Sequence, residues 1–147
     1  MAQDLGGATK TVEEDLDSTL ESVDRAEHLA LDVAREMGFE EDDLHKIGMS
    51  VRECLVNAVV HGNRYNRNKK VRFSVSRTPD KFRVRIADQG DGFAVHEIPD
   101  PLAEDNLLRQ SGRGLFLMRA FMDEFVVHKL DPMGTEVILV KNAAAKK

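Results

Sequence analysis

Apolar positions along the chain follow two periods, and the change from one to the other marks out the elements. Val23, Ala26, Ala30, Val33 and Met37 recur at three- and four-residue steps, which places them on one face of a helix over residues 22–37. Ser22 offers its N-cap and Gly38 the residue just past its end. A second stripe, Leu44, Ile47, Val51, Cys54, Leu55 and Ala58, predicts a helix capped by Asp42 or Asp43 and running to Val60. The period then falls to two. Residues 71–77 (VRFSVSR) and 82–87 (FRVRIA) alternate apolar and basic side chains, which predicts a hairpin turning at 78–81 with one buried face. A helix over 115–125 and a closing hairpin of 126–130 with 135–141 complete the order. Residues 11–16 are ambiguous, with weak alternation and many acids, and are compatible with an edge strand. The whole predicts an α+β chain, a two-layer α/β sandwich with helices on one face of a mostly antiparallel mixed sheet.

The stretch between residue 93 and Ser111 is loop-like, with Pro99 and Pro101 as breakers and room for one short helix. A loop of that length in a compact domain is more often a lid than a connection, so residues 94–110 are expected to cover a ligand. At 147 residues one domain is expected, over 10–141, with 1–9 and 142–147 as flexible termini. A net charge of −5 gives no electrostatic reason for nucleic-acid binding. No apolar run approaches a membrane span and the first ten residues lack a signal-peptide pattern, so a cytoplasmic protein is expected. Cys54, the lone cysteine, sits in an apolar run and reads as a small buried hydrophobe.

Candidate chemistry gathers at three places. Asp88-Gln-Gly90-Asp-Gly92 ends a strand in a carboxylate and opens into two glycines, which let a flat ligand lie close to the backbone while the carboxylate accepts from an amine. Glu53 and Asn57 are four apart on the second helix, hence on one face, where a carboxylate can take a proton and a carboxamide oxygen can hold a metal. The same spacing also describes a polar stripe on a half-exposed helix. His61-Gly62 reads as a helix-end feature and is left out of the catalytic set. Ser111-Gly112-Arg113-Gly114 opens the third helix, where unpaired amides form an anion site that Arg109 and Arg113 reinforce; a flexible joint with solvated arginines is the plainer reading.

Taken together, these motifs resemble the GHKL ATPase superfamily, and within it the bacterial anti-sigma factor serine/threonine kinases. ECLVNAVVHGN resembles the N box, ADQGDGF the first glycine box, SGRGLFLMRAFMDEF the second, and GTEVILVK the last. The resemblance implies the Bergerat ATP-binding fold, with ATP and Mg²⁺ bound. Asp88 would accept from the adenine amino group with Thr135 in support, and Gly90 and Gly92 would let base and ribose approach. Asn57 would hold Mg²⁺. Gly112, Arg113, Gly114 and Leu115, with Ser111 and Arg109, would meet the phosphates. Glu53 would be the general base.

Histidine-kinase catalytic domains generally carry asparagine at the place of Glu53, so its presence favours a hydroxyl or water as nucleophile. The resemblance implies a protein kinase that phosphorylates an anti-sigma-factor antagonist and switches between it and a sigma factor, with homodimerisation open. A nucleotide-dependent binding module without useful transfer activity is the alternative. A simple ATPase is a third reading.

Overall fold

The computed structural model describes residues 9–90 and 119–143. Five strands and two long helices are arranged as β1 (Lys10–Asp17), α1 (Leu20–Glu36), α2 (Glu41–Val56), a π-helical turn (Asn57–Gly62), β2 (Lys70–Arg77), β3 (Lys81–Ala87), β4 (Glu124–Lys129) and β5 (Thr135–Asn142). The sheet order is β1-β2-β3-β5-β4, and every pairing is antiparallel among the described residues. The expectation of an α+β layer arrangement holds, and its parallel component has no counterpart among these strands. Residues 10–17 form a full edge strand, paired with β2 along its whole length.

Alternation decides which face of the sheet is dry. Val71, Phe73 and Val75 on β2 and Phe82, Val84 and Ile86 on β3 are buried, and α1 and α2 cover them with Val23, Ala26, Ala30, Ile47, Val51 and Leu55. Phe39, just past α1, meets Phe82 edge to face, with ring centroids 6.3 Å apart. The opposite face carries Glu13, Asp15, Arg72, Arg85 and Glu136, whose exposed pairs suit a surface in contact with water.

The helix boundaries differ from expectation in instructive ways. Thr19, not Ser22, caps α1. Its backbone is extended and its Oγ1 accepts from the Ser22 amide at 3.2 Å, because β1 ends at Asp17 and leaves a two-residue link. Gly38 does end α1, at φ +83°. Glu40, not Asp42 or Asp43, precedes α2 and makes no side-chain cap. The two aspartates fall in the first turn, where their charge complements the helix dipole. α2 stops being α-helical at Val56 and widens into the π turn, which carries the chain past the expected end to Gly62.

The third helix was expected to reach Phe125. Residues 119–121 are helical, the chain turns at Met122–Asp123, and Phe125 lies in β4 opposite Leu139. Six strand pairs between β4 and β5 outweigh the helical spacing of Met118, Met122 and Phe125. Met122 nonetheless lies in the core.

Candidate functional site

Asp88 owes its position to strand alternation. Phe82, Val84 and Ile86 point to the helix side of β3, and the next residue in that series is Asp88, 4% exposed. A buried carboxylate must be hydrogen-bonded, and this one is. Its Oδ1 accepts from the amides of Gly90 at 2.9 Å and Thr135 at 3.2 Å, while its own amide donates to the Thr135 carbonyl at 2.9 Å. Thr135, itself buried, is thus tied to Asp88 through the backbone in both directions. Desolvation pushes the Asp88 carboxyl above the usual range, with the two amides and Lys69 pulling the other way.

Three glycines make the corner possible. A Cβ on Gly62 would overlap the Asp88 carboxylate, one on Gly134 would overlap the Asp88 carbonyl, and one on Gly90 would overlap the Gly62 carbonyl. Gly134 also has φ +111°. Gly62 therefore does more than end a helix: it brings the π turn against Asp88. From sequence Gly62 reads only as a helix-end feature and Gly134 has no assigned role; their positions within the N box and the last motif were the available signal.

Asn57 begins the π turn with helical dihedrals, so it keeps its place one turn beyond Glu53 on the same face. Both are half-buried beside the packed stripe of Val51, Cys54, Leu55 and Ala58. Burial raises the Glu53 carboxyl above its ordinary range, and the nearby charge of His61 opposes that shift. His61, exposed in the π turn, is thus an electrostatic neighbour of Glu53. Cys54 is buried and its thiol is pushed up, which agrees with a packing role.

The remaining expected site residues, Gly92, Arg109, Ser111, Gly112, Arg113, Gly114 and Leu115, lie outside the described residues, as does the lid over 94–110. Among the described residues the structure brings Asp88, Gly90 and Thr135 into direct contact and sets Glu53 and Asn57 on one helix face. Sequence reasoning missed Asn63 and Gln89, two polar residues that support the Asp88 turn. No cluster of three or more acidic, histidine or cysteine side chains suits a metal among the described residues. No described helix is long and apolar enough to cross a membrane.

Comparison with known proteins bears directly on this arrangement. Residues 16–141 match the family described as the histidine kinase-like ATPase domain. The chain is 32% identical over 118 residues to a serine-protein kinase RsbW of Bacillus licheniformis, covering 74% of this chain and 71% of that protein. A second RsbW from the same species is 31% identical over 98 residues, and the match spans 63% of this chain and 61% of that relative's length. An anti-sigma F factor of Geobacillus thermodenitrificans is 35% identical over 108 residues, 72% of this chain and 74% of the relative.

Proposed function

This chain belongs to the histidine kinase-like ATPase domain family, and from that premise we propose that it is a serine/threonine protein kinase of the anti-sigma type. It transfers the γ-phosphoryl group of ATP to a hydroxyl of an anti-sigma-factor antagonist, and that transfer governs its hold on a sigma factor. The observation that carries the reading is Glu53. It is a half-buried carboxyl with a raised pKa, one helical turn before Asn57, which is what a base for a hydroxyl nucleophile requires.

The residues divide the work. Asp88 receives the adenine amino group, since Oδ1 is occupied by two backbone amides and the second oxygen takes no hydrogen bond among the described residues. The glycines at 62, 90 and 134 keep that corner free of Cβ atoms. The proposed roles of Gly92 and Thr135 are to let the base and ribose approach and to support Asp88. Arg109, Ser111, Gly112, Arg113, Gly114 and Leu115 hold the phosphates.

Asn57 fits Mg²⁺. That ion takes few protein ligands and completes its shell from substrate phosphates and water, so a single carboxamide oxygen is a suitable donor where no acidic cage exists among the described residues. When bound, Mg²⁺ neutralises charge on the phosphates.

Glu53 takes the proton of the acceptor hydroxyl as its oxygen bonds to the γ-phosphorus. The bond from that phosphorus to the β–γ bridging oxygen breaks, and ADP leaves with the electron pair. The protein's contribution beyond that proton is positioning.

The test is incubation of the protein with γ-labelled ATP, Mg²⁺ and a small anti-sigma-factor antagonist. Label should appear on a serine or threonine of the antagonist. Persistent ATP-dependent binding of the antagonist with no label at any time would overturn the kinase reading and leave a nucleotide-dependent binding module.

A further inference from the structure

We propose that Asn63 is a positioning residue for base recognition: its side chain fixes the turn that carries Asp88, and through it the site's preference for adenine. The proposal rests on the nucleotide-site reading above and adds to it Asn63, a residue at the end of the N-box stretch to which no role was assigned.

Asn63 ends the π turn and is 2% exposed. A buried carboxamide carries two N–H donors and an acceptor oxygen, and leaving any unmet is costly. Here each is used on a different element. Nδ2 donates to Ser18 Oγ at 2.9 Å, in the link between β1 and α1, and to the Lys70 carbonyl at 3.1 Å, at the start of β2. Oδ1 accepts from the Gln89 amide at 2.7 Å. The orientation of the carboxamide is set by chemistry, since the Lys70 carbonyl can only accept and the Gln89 amide can only donate.

The surroundings stiffen this joint. Ser18 Oγ passes a hydrogen bond to the Lys69 carbonyl at 2.6 Å, and Gln89 Oε1 accepts from the Lys70 amide at 2.6 Å. The turn after β3 is therefore held at two successive amides. Gln89 N is anchored to Asn63, and Gly90 N to the Asp88 carboxylate itself. With the first released, the carboxylate is held only through Oδ1 by the Gly90 and Thr135 amides, and the second oxygen can pivot about them and lose the direction that lets it choose an amine over a carbonyl oxygen. Discrimination of this kind depends on a fixed acceptor, because a mobile one can turn away from the wrong base at little cost.

Two variants separate positioning from simple structural support. Ser18→Ala removes the bond on the far side of Asn63 and leaves its contact with Gln89. Asn63→Ala removes both. Each should lower thermal stability. Only Asn63→Ala should reduce the ratio of Mg-ATP to Mg-GTP affinity measured by calorimetry, by roughly tenfold, the scale of one misdirected hydrogen bond.

A folded Asn63→Ala protein with the wild-type ratio would overturn the proposal. Equal loss of the ratio in both variants would also overturn it, since Asn63 would then act only as general support. Absence of ATP binding by the wild type would instead remove the nucleotide-site reading beneath it. Should Asn63→Ala not fold, the Gln89 amide of the wild type decides. Its hydrogen exchange should be slow without nucleotide, and exchange at the rate of an open loop amide would overturn the anchoring.

Discussion

The two halves of the site are held in opposite ways. The corner around Asp88 is fixed by backbone: its carboxylate lies between the amides of Gly90 and Thr135, and three glycines crowd in where no Cβ fits. The Glu53–Asn57 face is a pair of half-buried side chains at a helix end, beside a turn whose backbone has widened to a π helix. The first arrangement suits recognition, where an acceptor must stay still. The second suits proton transfer, where a carboxyl needs partial burial and access to a protein substrate. Changes that disturb the backbone of the Asp88 corner should therefore cost affinity and stability together, while changes at the helix face should act chiefly on rate.

Glu53→Gln gives the largest expected effect. It keeps the side chain's size and removes only the ability to take a proton, so phosphate transfer should fall by roughly 10²–10⁴-fold with ATP affinity unchanged. Transfer of labelled phosphate, measured beside ATP titration, checks both halves. Transfer at the wild-type rate would remove Glu53 as the base.

At the other half, Asp88→Asn retains an oxygen for the two backbone amides and should fold. It presents an amide N–H where an adenine amine bound as proposed would need an acceptor, and ATP affinity should fall by roughly 10–100-fold, the worth of a hydrogen bond to a charged group. Unaltered affinity by calorimetry would break the contrast, since Asp88 would then be a structural residue only.

Glycines test the backbone side of the comparison. In Gly62→Ala the new methyl meets the Asp88 carboxylate, and stability in urea should drop by about 1–3 kcal/mol. Gly48, inside α2, is the control. Its added methyl would meet only the ends of the Glu27 and Leu31 side chains, at 3.3 Å and beyond. A helix-interior alanine is intrinsically favoured by up to about 1 kcal/mol, so Gly48→Ala should remain close to wild type or gain slightly. Similar losses at both positions would show that the Asp88 corner is no more crowded than the scaffold.

Much of this was legible in the chain because the hydrophobic period fixes faces. The alternation of Phe82, Val84 and Ile86 already directs Asp88 to the helix side, and the stripe through Val51, Cys54 and Leu55 already leaves Glu53 and Asn57 to one side of it. What was not legible came from competition between elements. Thr19 displaced Ser22 as the cap because β1 runs to Asp17. Phe125 left the third helix because β5 offered β4 a strand partner. Asn63 could not be found from spacing at all, since its three partners sit 45, 7 and 26 residues away in the chain. Gly62 and Gly134 were visible as letters, but their purpose appears only when Asp88 is placed between them.

The smallest expected effect concerns the cost of holding Glu53 ready. Desolvation raises its carboxyl in the folded protein, and His61 offsets this only in part. A raised folded-state pKa means that folding favours the protonated form. Any stability this group contributes is fully present below its unfolded pKa and is lost as pH rises through the folded value. Above its folded pKa the half-buried carboxylate is therefore a burden, and there Glu53→Gln should melt slightly above the wild type. The margin is small because solvent still reaches the carboxyl. It should narrow as pH falls through the folded pKa and vanish below the unfolded one. Melting temperatures of the two proteins along that pH series measure it. A variant that melts lower than wild type above the folded pKa, or a margin that widens in acid, would show that Glu53 is stabilised as an anion. The helix face would then resemble the Asp88 corner in being built around a fixed charge.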